Sequence, residues 1–300
     1  MRRETAFMLG ILIGILEQGF IYGIMALGIY ISYKILDFPD LTVDGTFPLG
    51  AAVSTALVTA GVNPWLCLLA ATAAGVVAGC ITGILHVKFK IKDLLSGILV
   101  MTGLYSINYR IVGSPNEFLM TKPTIFDGIT SENPLYNYRY LIILLLIAIA
   151  VKLLLDLYLT TKSGFLLKSV GDNEGLVVTL AQNPGKIKII GLAIANGLVG
   201  LSGALYCQRA MQFDISSGTG TMVMGLAAVI IGTTVFKHLK FMKITTGVIL
   251  GMIVYKACIT IALSSGLQSS DTKMVVTVLF LATMILNDVM NKTKEGRKNA

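Results

Sequence analysis

The sequence predicts an all-α protein, a polytopic transmembrane helical bundle of about eight to ten helices. Three observations carry this expectation. Of the 300 residues, 55% are hydrophobic and 13% charged, with a mean hydropathy of +0.79; soluble domains carry about 25% charged residues. The apolar residues gather into runs of roughly 20, the length that crosses a bilayer as a helix. The lysines fall mostly between these runs, so the net charge of +8 reads as a marker of loop orientation in a lipid bilayer and not as a nucleic-acid surface. Residues 1–300 read as a single transmembrane domain.

About nine spans follow in order. The first, 7–33, contains Glu17, follows Arg2 and Arg3, and lacks the small-residue cleavage site of a signal peptide. The second, 45–62, is preceded by "DFPDLTVDG" (37–45). Three aspartates without further ligand spacing are weak calcium ligands, so a helix start capped by Asp40 or Asp44 is expected there. Segment 64–87 carries Ala71, Gly75, Gly79 and Gly83 every four residues, a stripe that lets another helix approach closely. Segment 94–111 contains Asn108, and 138–160 opens near Tyr136, Tyr138 and Tyr140, rings suited to the membrane interface. Lys152 and Asp156 then stand four apart, as a self-neutralising pair. Segment 187–208 repeats the small-residue spacing with Asn196, Gly200 and Ala204. The run 221–236 is short, a half-membrane or tilted element; 244–263 contains Lys256, and 272–289 is last. Cys67, Cys80, Cys207 and Cys258 form no CxxC or Cys/His cluster, so no metal site is expected.

The lysines orient the bundle. Lys88, Lys90 and Lys92 mark one corner; Lys162, Lys168, Lys186 and Lys188 a second; Lys237, Lys240 and Lys243 a third; Lys292, Lys294, Arg297 and Lys298 the tail. Alternating spans put all four on one side, which the positive-inside rule makes cytoplasmic. The loop 112–137, with Glu117, Asp127 and Glu132, then lies outside. Counting back from the tail puts Met1 outside, whereas Arg2 and Arg3 argue for inside; an interfacial first helix and a re-entrant segment both remain open.

Between the fifth and sixth spans lies "KSVGDNEGLVVTLAQNPGKIK" (168–188). Asp172 or Asn173 offers an N-cap and Glu174 a negative charge for the first turn. Leu176, Val177 and Leu180 fall on one face of a helix too short to span, which Pro184-Gly185 is expected to stop. Such a helix, over about 171–184, needs a surface on which to bury its apolar face.

"TKSGFLLKSVGDNEGLVVTLAQNPGKIKIIGLAIANGLVGLSGAL" (161–205) resembles the cytoplasmic loop and following helix of ABC-importer permeases of the branched-chain amino acid and ribose type. "ALGIYISYKILDFPDLTVDGTFPLGAAV" (26–53) and "SSGTGTMVMGLAAVIIGTT" (216–234) are similar to their early helix and late glycine-rich segment. The family's two alanines after the glutamate are Gly175 and Leu176 here, and its Gly-Ile is Ala181 and Gln182. In organisation the chain looks closer to a branch linked to aromatic amino acids, by family analogy.

The resemblance implies the ABC-importer permease fold and an ATPase-coupling segment made of Gly171, Asp172, Asn173, Glu174, Leu176, Val177 and Leu180. It implies a partner ABC ATPase, an extracytoplasmic substrate-binding protein and a second permease copy, in the cell membrane with a cytoplasmic C-terminus. No GxxxxGK[ST] loop occurs in the sequence, so ATP and magnesium belong to the ATPase and no cofactor is expected in this chain. The expected cargo is a small polar solute, most of all an amino acid of aromatic or branched-chain type; a sugar or nucleoside is the alternative. Asp44, Asn108 and Asn196 are the candidates for the translocation path. An ion-coupled secondary transporter would need membrane carboxylates, and few acids lie centrally in the spans. A membrane enzyme would need a convergent catalytic set, and the histidines are only His86 and His238, each near a helix end. No catalytic residue is therefore expected.

Overall fold

The structure, a computed structural model, describes residues 2–120, 122–128, 136–236, 242–264, 274–278, 280–282 and 284–285. Among them are eight long helices. Helix α1 (Arg2–Ile29) runs without a break into a π-helical turn (Tyr30–Ile35). Then come α2 (Val43–Thr59), α3 (Pro64–Val87), α4 (Asp93–Val112) and α5 (Arg139–Thr160). Two short helices, α6 (Lys162–Asp172) and α7 (Glu174–Thr179), precede α8 (Pro184–Ala210), α9 (Thr221–Val235) and α10 (Ile244–Ser264). A two-stranded antiparallel ribbon, β1 (Asn116–Phe118) with β2 (Gln212–Asp214), joins the ends of α4 and α8.

Six segments are long and apolar enough to cross a membrane: 8–35, 64–87, 136–160, 184–210, 215–235 and 244–264. The expected spans 45–62 and 94–111 are not among them. α2 has 17 residues with Pro48 inside, and α4 carries Asp93, Asn108 and Arg110. The span expected at 272–289, Lys237, Lys240, Glu132 and the basic tail lie wholly or partly outside the described residues. The opening helix starts before residue 7, continuous from Arg2.

Helix ends follow local chemistry. The Asn63 side chain accepts from the Trp65 N–H at 2.9 Å ahead of Pro64, and Asn183 accepts from the Lys186 N–H at 3.3 Å ahead of Pro184. Both prolines open helices, because the first helical position needs no N–H partner. The expected stop at Pro184-Gly185 is therefore corrected to a start.

α8 is the centre of the bundle. The small-residue stripe of α3 faces the small-residue stripe of α8. A Cβ on Gly75 would overlap the Asn196 carbonyl oxygen, and one on Gly79 the Leu192 carbonyl oxygen. α2 packs on another side of α8, where a Cβ on Gly203 would overlap the Phe47 carbonyl oxygen. Close backbone contact of this kind replaces the hydrophobic drive that lipid removes. α1 packs against α10, α8 and α5, and α9 against α10.

The membrane charges are matched inside the chain. Arg209 grips buried Glu17 at 2.7 Å and stacks on the Tyr140 ring at 4.1 Å. Lys152 pairs with Asp156 at 2.9 Å as expected, and Asp156 also reaches Lys243 at 3.4 Å and the Thr245 hydroxyl at 2.6 Å. Lys256 turns its ammonium onto the Tyr22 ring, 3.6 Å from the centroid, a favourable cation–π contact.

Candidate functional site

The segment 36–42 is irregular backbone inside the bundle, with Leu36, Phe38, Asp40 and Thr42 buried. At membrane depth such backbone needs internal partners. Asp40 supplies them: one carboxylate oxygen accepts the Thr42 N–H at 2.9 Å, and the other accepts the Asn196 amide of α8 at 2.6 Å. Thr46 donates its hydroxyl to the Asn196 side-chain oxygen at 2.9 Å, while Thr42 and Thr82 of α3 share a hydrogen bond of 2.8 Å. Gly97 of α4 fits here because a Cβ would come within 2.8 Å of the Leu41 nitrogen.

Asp44 has a different partner. Its oxygens accept the Gly220 N–H at 3.0 Å, the Met222 N–H at 2.7 Å and the Thr221 hydroxyl at 2.9 Å. It thus caps the N-terminus of α9 from the first turn of α2, meeting the positive end of that helix dipole with a carboxylate. Pro48 offers no N–H to the Asp44 carbonyl, and Gly218 sits against that carbonyl so closely that a Cβ would overlap it. Asn108 donates to the Gly45 carbonyl at 3.1 Å. The three path candidates, Asp44, Asn108 and Asn196, therefore converge on consecutive residues, 44–46, where the start of α2 meets the start of α9. None of them lines the larger cavity at the other helix ends.

That cavity, about 800 Å3, lies between the π-helical turn, α6, the end of α9 and the start of α10. Lys34, Lys168 and Lys243 line it together. At the same end, Gly185 at the start of α8 touches Val87 at the end of α3. One end of the bundle thus gathers the lysines of separate corners.

α6 and α7 stand at this end as well. α6 was not foreseen; Thr161 caps it by accepting the Gly164 N–H at 3.3 Å. The helix expected over 171–184 is divided. Gly171 and Asp172 close α6, and Asn173, in extended conformation, caps α7 by accepting the Gly175 N–H at 2.9 Å. Glu174 pairs with Lys188 of α8. Val177 is fully buried against the bundle, whereas Leu176, Val178 and Leu180 are 49%, 59% and 52% exposed. The expected common face of Leu176, Val177 and Leu180 is corrected accordingly: Val177 anchors the helix, and Val178 joins the outward apolar set. Gly171 rests on the π-helical turn, where a Cβ would overlap the Ile35 carbonyl oxygen.

Residues missed from the sequence are Thr46, Thr82 and the π-turn group. A π turn has no composition signal, and a threonine's partner two helices away leaves no local trace.

Residues 11–287 match the family described as branched-chain amino acid transport system permease component. The chain is 45% identical over 285 residues to a tyrosine transport system permease protein of Clostridioides difficile, covering 94% of each. It is 26% identical over 232 residues to the ribose import permease protein of Escherichia coli, covering 76% of this chain and 70% of that one. To the fructose import permease protein of Bifidobacterium longum it is 23% identical over 285 residues, 92% of this chain and 78% of the other. No solved structure matches it.

Proposed function

The chain belongs to the family of branched-chain amino acid transport system permease components, and we propose that it is the membrane subunit through which an ATP-driven importer passes an amino acid of the aromatic class. It is a multi-pass membrane protein and a permease, not an enzyme. The proposal extends to its assembly: two copies in the plasma membrane, two ATPases beneath, a binding protein outside, and the C-terminus in the cytoplasm. ATP and magnesium act on the ATPase. The relative named for tyrosine transport, at 45% identity against 26% for the ribose permease, favours the amino acid over a sugar.

One observation carries the coupling assignment. α7 shows three apolar side chains to the outside, yet is fixed to the bundle by Val177 and the Glu174–Lys188 pair. A helix held rigidly with its greasy side outward suits a partner's groove. Movement of α7 reaches the core through α6: Gly171 bears on Ile35, and Gly191 of α8 touches both Leu167 of α6, a contact too close for a Cβ, and Leu36. From Leu36 the chain continues directly to Asp40 and its bond to α8. The ATPase stroke would shift the broken segment and α8 together, and so switch the path.

The test is recovery of the ATPase with the permease at matched membrane expression. Leu176→Asp puts a charge into a dry contact, and recovery should fall by a factor of tens to hundreds, as for loss of an interface hot spot of about 2–4 kcal/mol. Equal recovery with wild type would remove the coupling assignment. Uptake competed by tyrosine and not by ribose would support the substrate class; the reverse would overturn it.

A further inference from the structure

The cavity of about 800 Å3 has an unusual distribution of surface. Its buried wall is apolar, with Ile35, Val229 and Ile230 among its residues, and its exposed side carries Lys34, Lys168 and Lys243 from three different segments. Asp172 is the one acid among the described residues of the lining. Lys243 shares Asp156 with Lys152; counting all six groups, four lysines against two aspartates leave a formal charge of +2. The π turn contributes through its wider coil, which brings Tyr30, Tyr33 and Lys34 to the same cavity, and π turns inside α-helices often mark functional sites.

We propose that this cavity holds the headgroup of an anionic phospholipid, with the phosphodiester among the lysines and the start of an acyl chain along the apolar wall. A soluble anion would find donors on the exposed side alone, whereas an amphiphile matches both surfaces. Basic pockets between membrane helices at the cytoplasmic side are suited to such headgroups. The inference rests on reading the lysine-bearing end as cytoplasmic. It gives the importer a lipid ligand wedged between α6, which leads into the coupling helix, the π-helical turn, α9 and α10.

The experiment is native mass spectrometry of the full chain released from mild detergent, counting phosphatidylglycerol and phosphatidylcholine retained per chain. Wild type should keep phosphatidylglycerol in preference. Lys34→Gln, at an exposed residue, should weaken retention about fivefold, and Lys34→Gln with Lys168→Gln about thirtyfold, from roughly one lysine's surface attraction each. Lys88→Gln with Lys90→Gln, on another corner, should leave retention unchanged. Equal loss in both pairs, no preference between the two lipids, or displacement of phosphatidylglycerol by millimolar inorganic phosphate would each overturn the proposal. The readout needs neither ATPase nor transport, so a negative result leaves the importer reading standing.

Discussion

Asp44 stands in the first turn of α2 but bonds at the start of α9, 176 residues away from the Gly220 N–H it accepts. A carboxylate that caps a distant helix serves stability first. Asp44→Ala should cost about 2 kcal/mol, the upper range for losing an N-cap, seen as a lower thermal midpoint in detergent. Asp44→Asn keeps one acceptor oxygen and should lose about half as much; equal midpoints for all three proteins would refute the cap. Asp40 and Asn196 make a sharper case, since both are fully buried. Asn196→Leu strands the Asp40 carboxylate and the Thr46 hydroxyl, and should cost about 3 kcal/mol or more. Removing both partners, in Asp40→Leu with Asn196→Leu, should recover part of that loss, because the buried carboxylate is removed together with its partner, while the Thr46 hydroxyl and the Thr42 N–H stay without theirs. A double-mutant cycle by thermal unfolding measures it, and strict additivity would mean that the two side chains do not support each other.

The elements show what a linear reading reaches. α3 was legible to the residue, 64–87, because an Asn-Pro start and a lysine corner bound a clean apolar run. The small-residue stripes of α3 and α8 were legible as contact faces, although only folding shows that they face each other. The start of α7 was legible too, for Asn173 caps it and Glu174 stands in its first turn as expected; α6 was not, and it takes Gly171 and Asp172 from the helix expected over 171–184. Which of the apolar side chains turns inward was hidden, because the helix ends at Thr179 and leaves Leu180 in its C-cap, outside the expected helical face. The two faces of α7 now predict opposite defects. Val177→Asp buries a charge against the bundle and should lower the yield of folded protein; Val178→Asp should leave folding intact and cut ATPase recovery. Thr179→Asp should be milder, because that side chain is exposed and bonds back to the Leu176 carbonyl at 2.7 Å. Gly171→Ala separates docking from transmission. Its Cβ has no room against Ile35, an overpacking of about 1–3 kcal/mol, yet it leaves the outer face of α7 alone. Transport should fall with ATPase recovery unchanged; parallel losses would put Gly171 in the docking surface itself.

At the scale of the whole molecule, the charges place the machinery. The lysine-bearing end collects the cavity, α6 and α7, while the opposite end is closed by the ribbon, by Gln208 accepting the Ile125 N–H at 3.1 Å, and by Lys122 on the Thr59 carbonyl at 3.1 Å. Positive residues hold loops in the cytoplasm, so an ATPase would meet α7 there, and the closed end would face the binding protein. This layout bears on stoichiometry. Of the two short helices at that end, α6 also turns a large apolar residue, Phe165, outward, and on the proposed reading α7 gives each chain one handle for one ATPase. The ABC cycle closes two ATPases around shared ATP sites, so a single permease would leave the second ATPase without a grip. Two copies related by a two-fold axis solve this with one interface repeated on itself. The apolar side chains that α4 exposes, Leu95, Leu99, Tyr105 and Ile107 among them, are free to face lipid or the second copy. Mass measurement of the intact detergent-purified complex should give two permease chains with two ATPases, and Leu176→Asp should give the permease pair alone. A complex carrying one copy of this chain and two ATPases would mean that a second handle exists, and the assignment of α7 as the sole coupling element would fail.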